Sequence, residues 1–199
     1  MRKLTNTLVF VMLVLISTSS HSYNSDPENF IAELVDDAIK TLSDKSVSKA
    51  DKAKKIETIA LENVDIDAIA MYTLGSIRKT LDQSTLKKYR ELFEKYFLKS
   101  LTSRLTDYSD NKFEVIGADQ KSETTTIVFS RIVESSSQPE LKIDWRVYTK
   151  DPAKPLIRDL KVEGLSIART QKEEFSSILD SNNNDINILF EKLEEFIKN

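Results

Sequence analysis

Phe30, Ile31, Leu34, Val35, Ala38, Ile39 and Leu42 recur at the spacing that places side chains on one face of an α-helix. Asp26-Pro27 precedes them in the manner of an N-cap followed by proline in the first turn. Ser48 to Asp51 has the form of a capping box, with Asp in place of Glu or Gln, and opens a second helix carrying Ala53, Ile56, Ile59, Ala60 and Val64. Asp65 caps a short third helix with Ile66, Ile69, Ala70 and Leu74, which Gly75 ends. Ser84 is expected to cap a long fourth helix reaching about Asp107. Its stripe is Leu86, Tyr89, Phe93, Phe97, Leu101 and Leu105, widened by Leu92 and Tyr96.

The period then changes to alternation. Phe113 to Gly117, Thr124 to Val133, Leu141 to Tyr148 and Leu156 to Val162 read as four strands. The turn-rich stretches between them, such as Ser135 to Pro139 and Lys150 to Pro155, are short enough to make neighbours antiparallel. Leu141, Ile143, Trp145 and Val147 share one face of their strand. In the last strand Leu160 and Val162 are expected inward and Asp159, Lys161 and Glu163 outward, with a bulge at Gly164 turning Leu165 and Ile167 inward as well. Thr170 is read as the cap of a helix with Phe175, Ile178 and Leu179. Asn184 or Asp185 begins the last helix, with Ile186, Leu189, Phe190, Leu193, Phe196 and Ile197. Helices followed by a run of strands predict an α+β domain, with helices packed on one face of a twisted antiparallel sheet of about four strands.

The first twenty-two residues stand apart. Arg2 and Lys3 precede an unbroken apolar run, Leu8 to Ile16, followed by small polar residues and a cleavage-like Ser20-His21-Ser22. That layout predicts a secretory signal peptide, too short to span a bilayer, and a single exported domain over residues 23–199. The chain contains no Cys, and its one His, His21, lies in the segment expected to be removed. The exported domain then lacks any Ser-His-Asp or Cys-His catalytic set, a thiolate metal site and a lipidated cysteine anchor. Without Arg2 and Lys3 it has 27 basic residues against 32 acidic ones, the wrong balance for nucleic acid.

Few positions offer chemistry. Asp180, Asn182, Asn184 and Glu191 fall at positions of a calcium loop, yet Asp185 stands where the loop needs glycine, so no metal is expected. Asp65 and Asp67 face different directions on a helix. Glu163 beside Gly164 has the acidity of a general base but no accompanying nucleophile. Lys87, Lys88 and Arg90 are interleaved with acids and read as a solvated helix face. The apolar surface remains, above all the aromatic stripe from Tyr89 to Phe97.

The order of these segments resembles the MlaC family of toluene-tolerance or ABC-transporter auxiliary proteins. Asp159-Leu160-Lys161-Val162-Glu163-Gly164-Leu165-Ser166-Ile167, followed by Phe175 and Leu179, is similar to the family's D-V-x-V-E-G-V-S-L segment and the helix after it. Ile69-Ala70 through Leu74-Gly75 resembles the family's helix ending in Leu-Gly. Phe93, Tyr96, Phe97 and Leu101 resemble its F-x-x-[YF] helix, and Ile186, Leu189 and Leu193 its closing helix. The chain departs at Ile77, Pro155 and Gln171-Lys172, where the family often has an aromatic, Trp and Tyr-Arg.

The resemblance implies a non-enzymatic lipid carrier in the Gram-negative periplasm, without a cofactor or membrane anchor. Its ligand would be a phospholipid. Its partners would be an outer-membrane lipoprotein–porin complex and an inner-membrane ABC transporter complex with a periplasmic substrate-binding ring. Exposing each lipid methylene costs about 0.8 kcal/mol, so two acyl chains need near-complete enclosure in an apolar pocket. The expected pocket lies between the sheet residues Leu141, Ile143, Trp145, Val147, Leu165 and Ile167 and the helix residues Phe93, Phe97 and Leu101. An interaction protein with a filled core, or a carrier of a hopanoid-type lipid, has the same periodicities.

Overall fold

The computed structural model describes residues 23–105, 112–134 and 139–199. The expected signal peptide, the end of the long helix near Asp107 and the turn at Ser135–Gln138 lie outside these residues. Four helices come first: α1 (Pro27–Ser43), α2 (Lys49–Asn63), α3 (Ile66–Thr73) and α4 (Gln83–Leu105), with a 3-10 turn at Gly75–Lys79 before α4. Five strands follow: β1 (Phe113–Ser122), β2 (Thr125–Ile132), β3 (Leu141–Tyr148), β4 (Leu156–Val162) and β5 (Leu165–Ser166). The helices α5 (Ile167–Asp180) and α6 (Ile186–Lys198) close the chain.

Short polar side chains set the helix starts. Asp26 Oδ1 accepts the Asn29 N–H at 3.0 Å, and Ser48 Oγ accepts the Asp51 N–H at 3.1 Å while donating to Asp51 Oδ2 at 2.7 Å. Asp65 caps α3 through the Ala68 N–H, and Asp185 caps α6 through the Asn187 N–H. Gly75, at φ +63°, supplies the left-handed residue that stops α3. Two starts differ from expectation. Asp82, rather than Ser84, accepts the Thr85 N–H and begins α4. Ser166, rather than Thr170, accepts the Arg169 N–H and begins α5 four residues earlier than the pattern suggests.

The sheet is fully antiparallel in the order β1-β2-β3-β4-β5. It has a fifth strand because Gly164 serves a hairpin rather than a bulge. Val162 pairs with Leu165 across Glu163 and Gly164, whose φ values of 49° and 82° make a two-residue turn of the primed kind. The turn carries Leu165 onto the face of Val162. It leaves Ile167 in the first turn of α5, not on a strand.

Two apolar clusters hold the fold. One is all-helical: Tyr89 and Phe93 of α4 pack with Ile69 and Leu74, Phe175 and Leu179 of α5, and Leu189, Phe190 and Leu193 of α6. Phe175 meets Phe93 edge-on at 6.3 Å between ring centroids. The other lies where α1 covers the sheet, with Tyr23, Phe30, Ile31 and Leu34 over Val128, Val147 and Ile157. Val64 touches both clusters, and its segment forms a short parallel bridge to Ile157 at the β4 edge.

Candidate functional site

Cross-strand pairing fixes which side chains share the sheet face under α1. Val147 is opposite Ile157, Trp145 opposite Leu160, Ile143 opposite Val162, and Val162 opposite Leu165. With Leu141 these form an apolar field across β3, β4 and β5. Its burial is graded: Val147 is fully buried, Ile143 is 9% exposed, Leu160, Val162 and Leu141 are half-buried, and Leu165 is 70% exposed. Beyond it, Ile167 is 44% exposed at the start of α5. The field is closed at the Val147 end by the first turns of α1 and open at the hairpin end. The later apolar residues of α1, Val35, Ile39 and Leu42, are only half-buried too.

Trp145 stands midway along this gradient. Its indole N–H donates to Ser130 Oγ at 2.8 Å, and its ring meets Phe113 edge-on at 6.2 Å. Ser130, almost fully buried on β2, donates in turn to the Ile143 carbonyl at 2.8 Å. The one polar side chain buried against the middle of the field is therefore satisfied by its neighbours.

The helix side of the expected pocket sits elsewhere. Phe93 is 1% exposed inside the all-helical cluster, with Phe97 stacked beside it at 6.3 Å and half-buried. Leu101 is half-buried one turn further on. The main neighbours of α4 are α6, α3 and α2. The structure thus unites Leu141, Ile143, Trp145, Val147 and Leu165 on one face. It puts Phe93 and Phe97 in the all-helical cluster and Ile167 at the margin. Sequence reasoning did not nominate Ile31, Leu34 and Val35 of α1, which pack on the sheet side. Both α1 and α4 carry an apolar stripe, and periodicity alone does not say which of the two faces the sheet.

The polar residues of the Asp159–Ile167 segment are structural. Asp159 is only 9% exposed, not outward as alternation suggests, because its carboxylate turns to the start of α5. Its Oδ2 accepts the Ser166 hydroxyl at 2.7 Å, and its Oδ1 accepts the Ala168 N–H at 3.1 Å. Glu163 Oε1 accepts the Lys142 N–H at 2.6 Å, pinning the hairpin to β3. Asp65 binds Arg158 at 2.8 Å and Asp67 binds Arg90 at 2.7 Å, so the two carboxylates do point apart. Around the calcium-like stretch, Asn182 Nδ2 donates to the Ile178 carbonyl and Asp185 caps α6. The described residues hold no cluster of three or more metal-ligating side chains. An open polar groove of about 650 Å³ runs between α3 and α5, lined among others by Tyr72, Arg169, Lys172 and Asp180.

The MlaC protein family matches residues 32–195. The chain belongs to the MlaC family. The match runs from within α1 into α6 and so spans both apolar clusters and the hairpin. A similar solved structure is a phospholipid-binding protein from Ralstonia solanacearum in complex with a phospholipid. It has a TM-score of 0.71 at 15% identity, over 88% of this chain and 97% of that one. At that identity the likeness is one of fold. No curated protein matches the chain. In this MlaC-family member Ile77, Pro155 and Gln171 all make local contacts. Ile77 packs on the helical cluster, Pro155 is buried, and Gln171 accepts the Tyr96 hydroxyl at 2.6 Å. No described helix is long and apolar enough to cross a membrane.

Proposed function

We propose that this protein is a non-enzymatic phospholipid carrier of the periplasm. In this reading it is exported by cleavage of residues 1–22 and moves lipid between an outer-membrane lipoprotein–porin complex and an inner-membrane ABC transporter complex with its substrate-binding ring. The observation that carries it is the apolar field of β3, β4 and β5, which passes without a polar interruption from the fully buried Val147 to the open Leu165. One exposed leucine is ordinary at the edge of a filled core; a contiguous apolar field left open at one end is not. A site for acyl chains has such an opening, because the ligand completes the burial. Two acyl chains left in water cost on the order of 20 kcal/mol, far more than an exposed patch can offset, so the tails must enter the fold. Membership of the MlaC family and the phospholipid bound to the Ralstonia solanacearum relative support the same ligand class. The lipid-facing set in this reading is Leu141, Ile143, Trp145, Leu165 and Ile167, with Val147 as the buried end of the field.

Leu165→Asp and Leu141→Asp test this reading. Each charge sits where water reaches it, so the variants are expected to melt like the wild type and to lose co-purifying phospholipid, read by organic extraction and mass spectrometry. Val147→Asp is the contrast. A carboxylate there must be desolvated or protonated at several kcal/mol, against a whole stability of about 5–15 kcal/mol, and should unfold the protein. Folded Leu165 and Leu141 variants that still carry a full load of phospholipid would overturn the assignment.

A further inference from the structure

Residues 45–55 hold five lysines and one aspartate, in a chain whose net charge is −3. They form the α1–α2 turn and the first half of α2. Lys45, Lys49, Lys54 and Lys55 are exposed, and none has a carboxylate within 4.0 Å among the described residues. Several lysines elsewhere are paired, Lys40 with Asp36, Lys87 with Glu91, Lys112 with Glu114 and Lys192 with Glu195. Two acids beside the patch also hydrogen-bond serines. Asp51 accepts the Ser48 hydroxyl, and Asp44 accepts both the hydroxyl and the N–H of Ser46. Lys52 has a different job, donating to the Leu42 carbonyl and closing the turn. Lys54 and Lys55 border an open groove of about 470 Å³ with Val47, Asp51 and Thr58.

We propose that this lysine surface docks the protein on an anionic lipid bilayer, its ammonium groups meeting the phosphates of the headgroup layer. The composition separates a bilayer from a protein partner. Protein interfaces are depleted in lysine and centre on buried Tyr, Trp or Arg anchors. The patch has no aromatic residue, no arginine and no exposed large apolar side chain, Val47 being half-buried. Compact, flexible point charges beside an open groove suit a fluid anionic surface, where each basic residue contributes independently. Because the remainder of the molecule is net acidic, the patch also orients it, bringing the α1–α2 turn toward the membrane. The proposal does not depend on the apolar field taking up lipid.

Co-sedimentation with vesicles of phosphatidylcholine alone, or of phosphatidylcholine with phosphatidylglycerol, tests it at low salt. The wild type is expected to bind only the phosphatidylglycerol vesicles and to be released by added salt. Lys49→Ala/Lys54→Ala/Lys55→Ala should weaken the partition about fivefold per lysine, roughly a hundredfold in all. The arginine triple K49R/K54R/K55R should bind like the wild type, which separates loss of charge from loss of structure. Lys142→Ala/Lys150→Ala/Lys154→Ala removes the same charge elsewhere and should leave binding in place. Equal loss in that control, equal binding to both vesicle types, or binding to polyglutamate without binding to anionic vesicles would each overturn the proposal. The last outcome would assign the surface to an acidic protein.

Discussion

The indole N–H of Trp145 ends on the hydroxyl of Ser130, a residue one strand away and almost fully buried. The same hydroxyl donates to Ile143, so one oxygen fixes the ring in the middle of the apolar field. Ser130→Ala removes both bonds and strands the indole donor. The expected loss is about 1–3 kcal/mol of unfolding free energy, measured by urea denaturation. A variant as stable as the wild type would mean that water or a ring flip satisfies the indole instead.

Trp145 is the only tryptophan in the chain, which makes its fluorescence a local reporter. It is half-buried at the level where the field begins to open. Loading with a phospholipid brominated on its acyl chains is expected to quench its emission, whereas the unbrominated lipid shifts the emission without quenching. Binding of the brominated lipid with unchanged emission would place the tails away from β3.

Asp159 links β4 to α5 through the Ser166 hydroxyl and the Ala168 N–H. Asp159→Ala orphans a buried donor at a helix start and removes a charge-assisted cap. It is expected to lower stability by about 1–3 kcal/mol. Amide exchange should accelerate first at residues 168–170, before the centre of α6 is affected. Uniform acceleration over the whole chain would contradict a local capping role.

Burial pushes the Tyr89 hydroxyl well above the ordinary tyrosine range. Tyr23 is raised by burial and then by the bond that it donates to Asp37. In both cases the folded state holds its proton more tightly than the unfolded chain does. Their contribution to stability is therefore complete below pH about 10 and is lost as pH rises from there through the folded values. Phenolate absorbance and circular dichroism, followed together in alkali, should show exposed tyrosines ionising first and the last groups ionising only with unfolding. All tyrosines ionising near pH 10 in a folded protein would contradict this.

Among the described residues, sequence periodicity locates the six α-helices and four of the five strands because each has a local signal, either a stripe or an alternation bounded by polar turns. What escaped it depended on contacts distant in the chain. Alternation sends Asp159 outward, yet a helix start nine residues on needs its carboxylate and draws it in. Gly164 marks a departure from regular strand, but only the pairing of Val162 with Leu165 distinguishes a hairpin from a bulge. The stripe on α4 predicts that Phe93 is buried; it carries no information on the partner. The structure supplies Phe175 from α5 rather than the sheet. On the sheet side, alternation alone brought Leu141, Ile143, Trp145 and Val147 to one face, and that part of the candidate site was legible throughout.

Leu165, the most open residue of the apolar field, is bracketed on both sides. It is paired with Val162 before the turn, and the next residue, Ser166, is held by Asp159 while it caps α5. Glu163 fastens the turn itself to β3. The rim of the field is therefore preorganised. Ordering a loose loop costs about 1–2 kcal/mol per residue in backbone entropy, and a ligand meeting this rim does not forfeit that sum from its affinity.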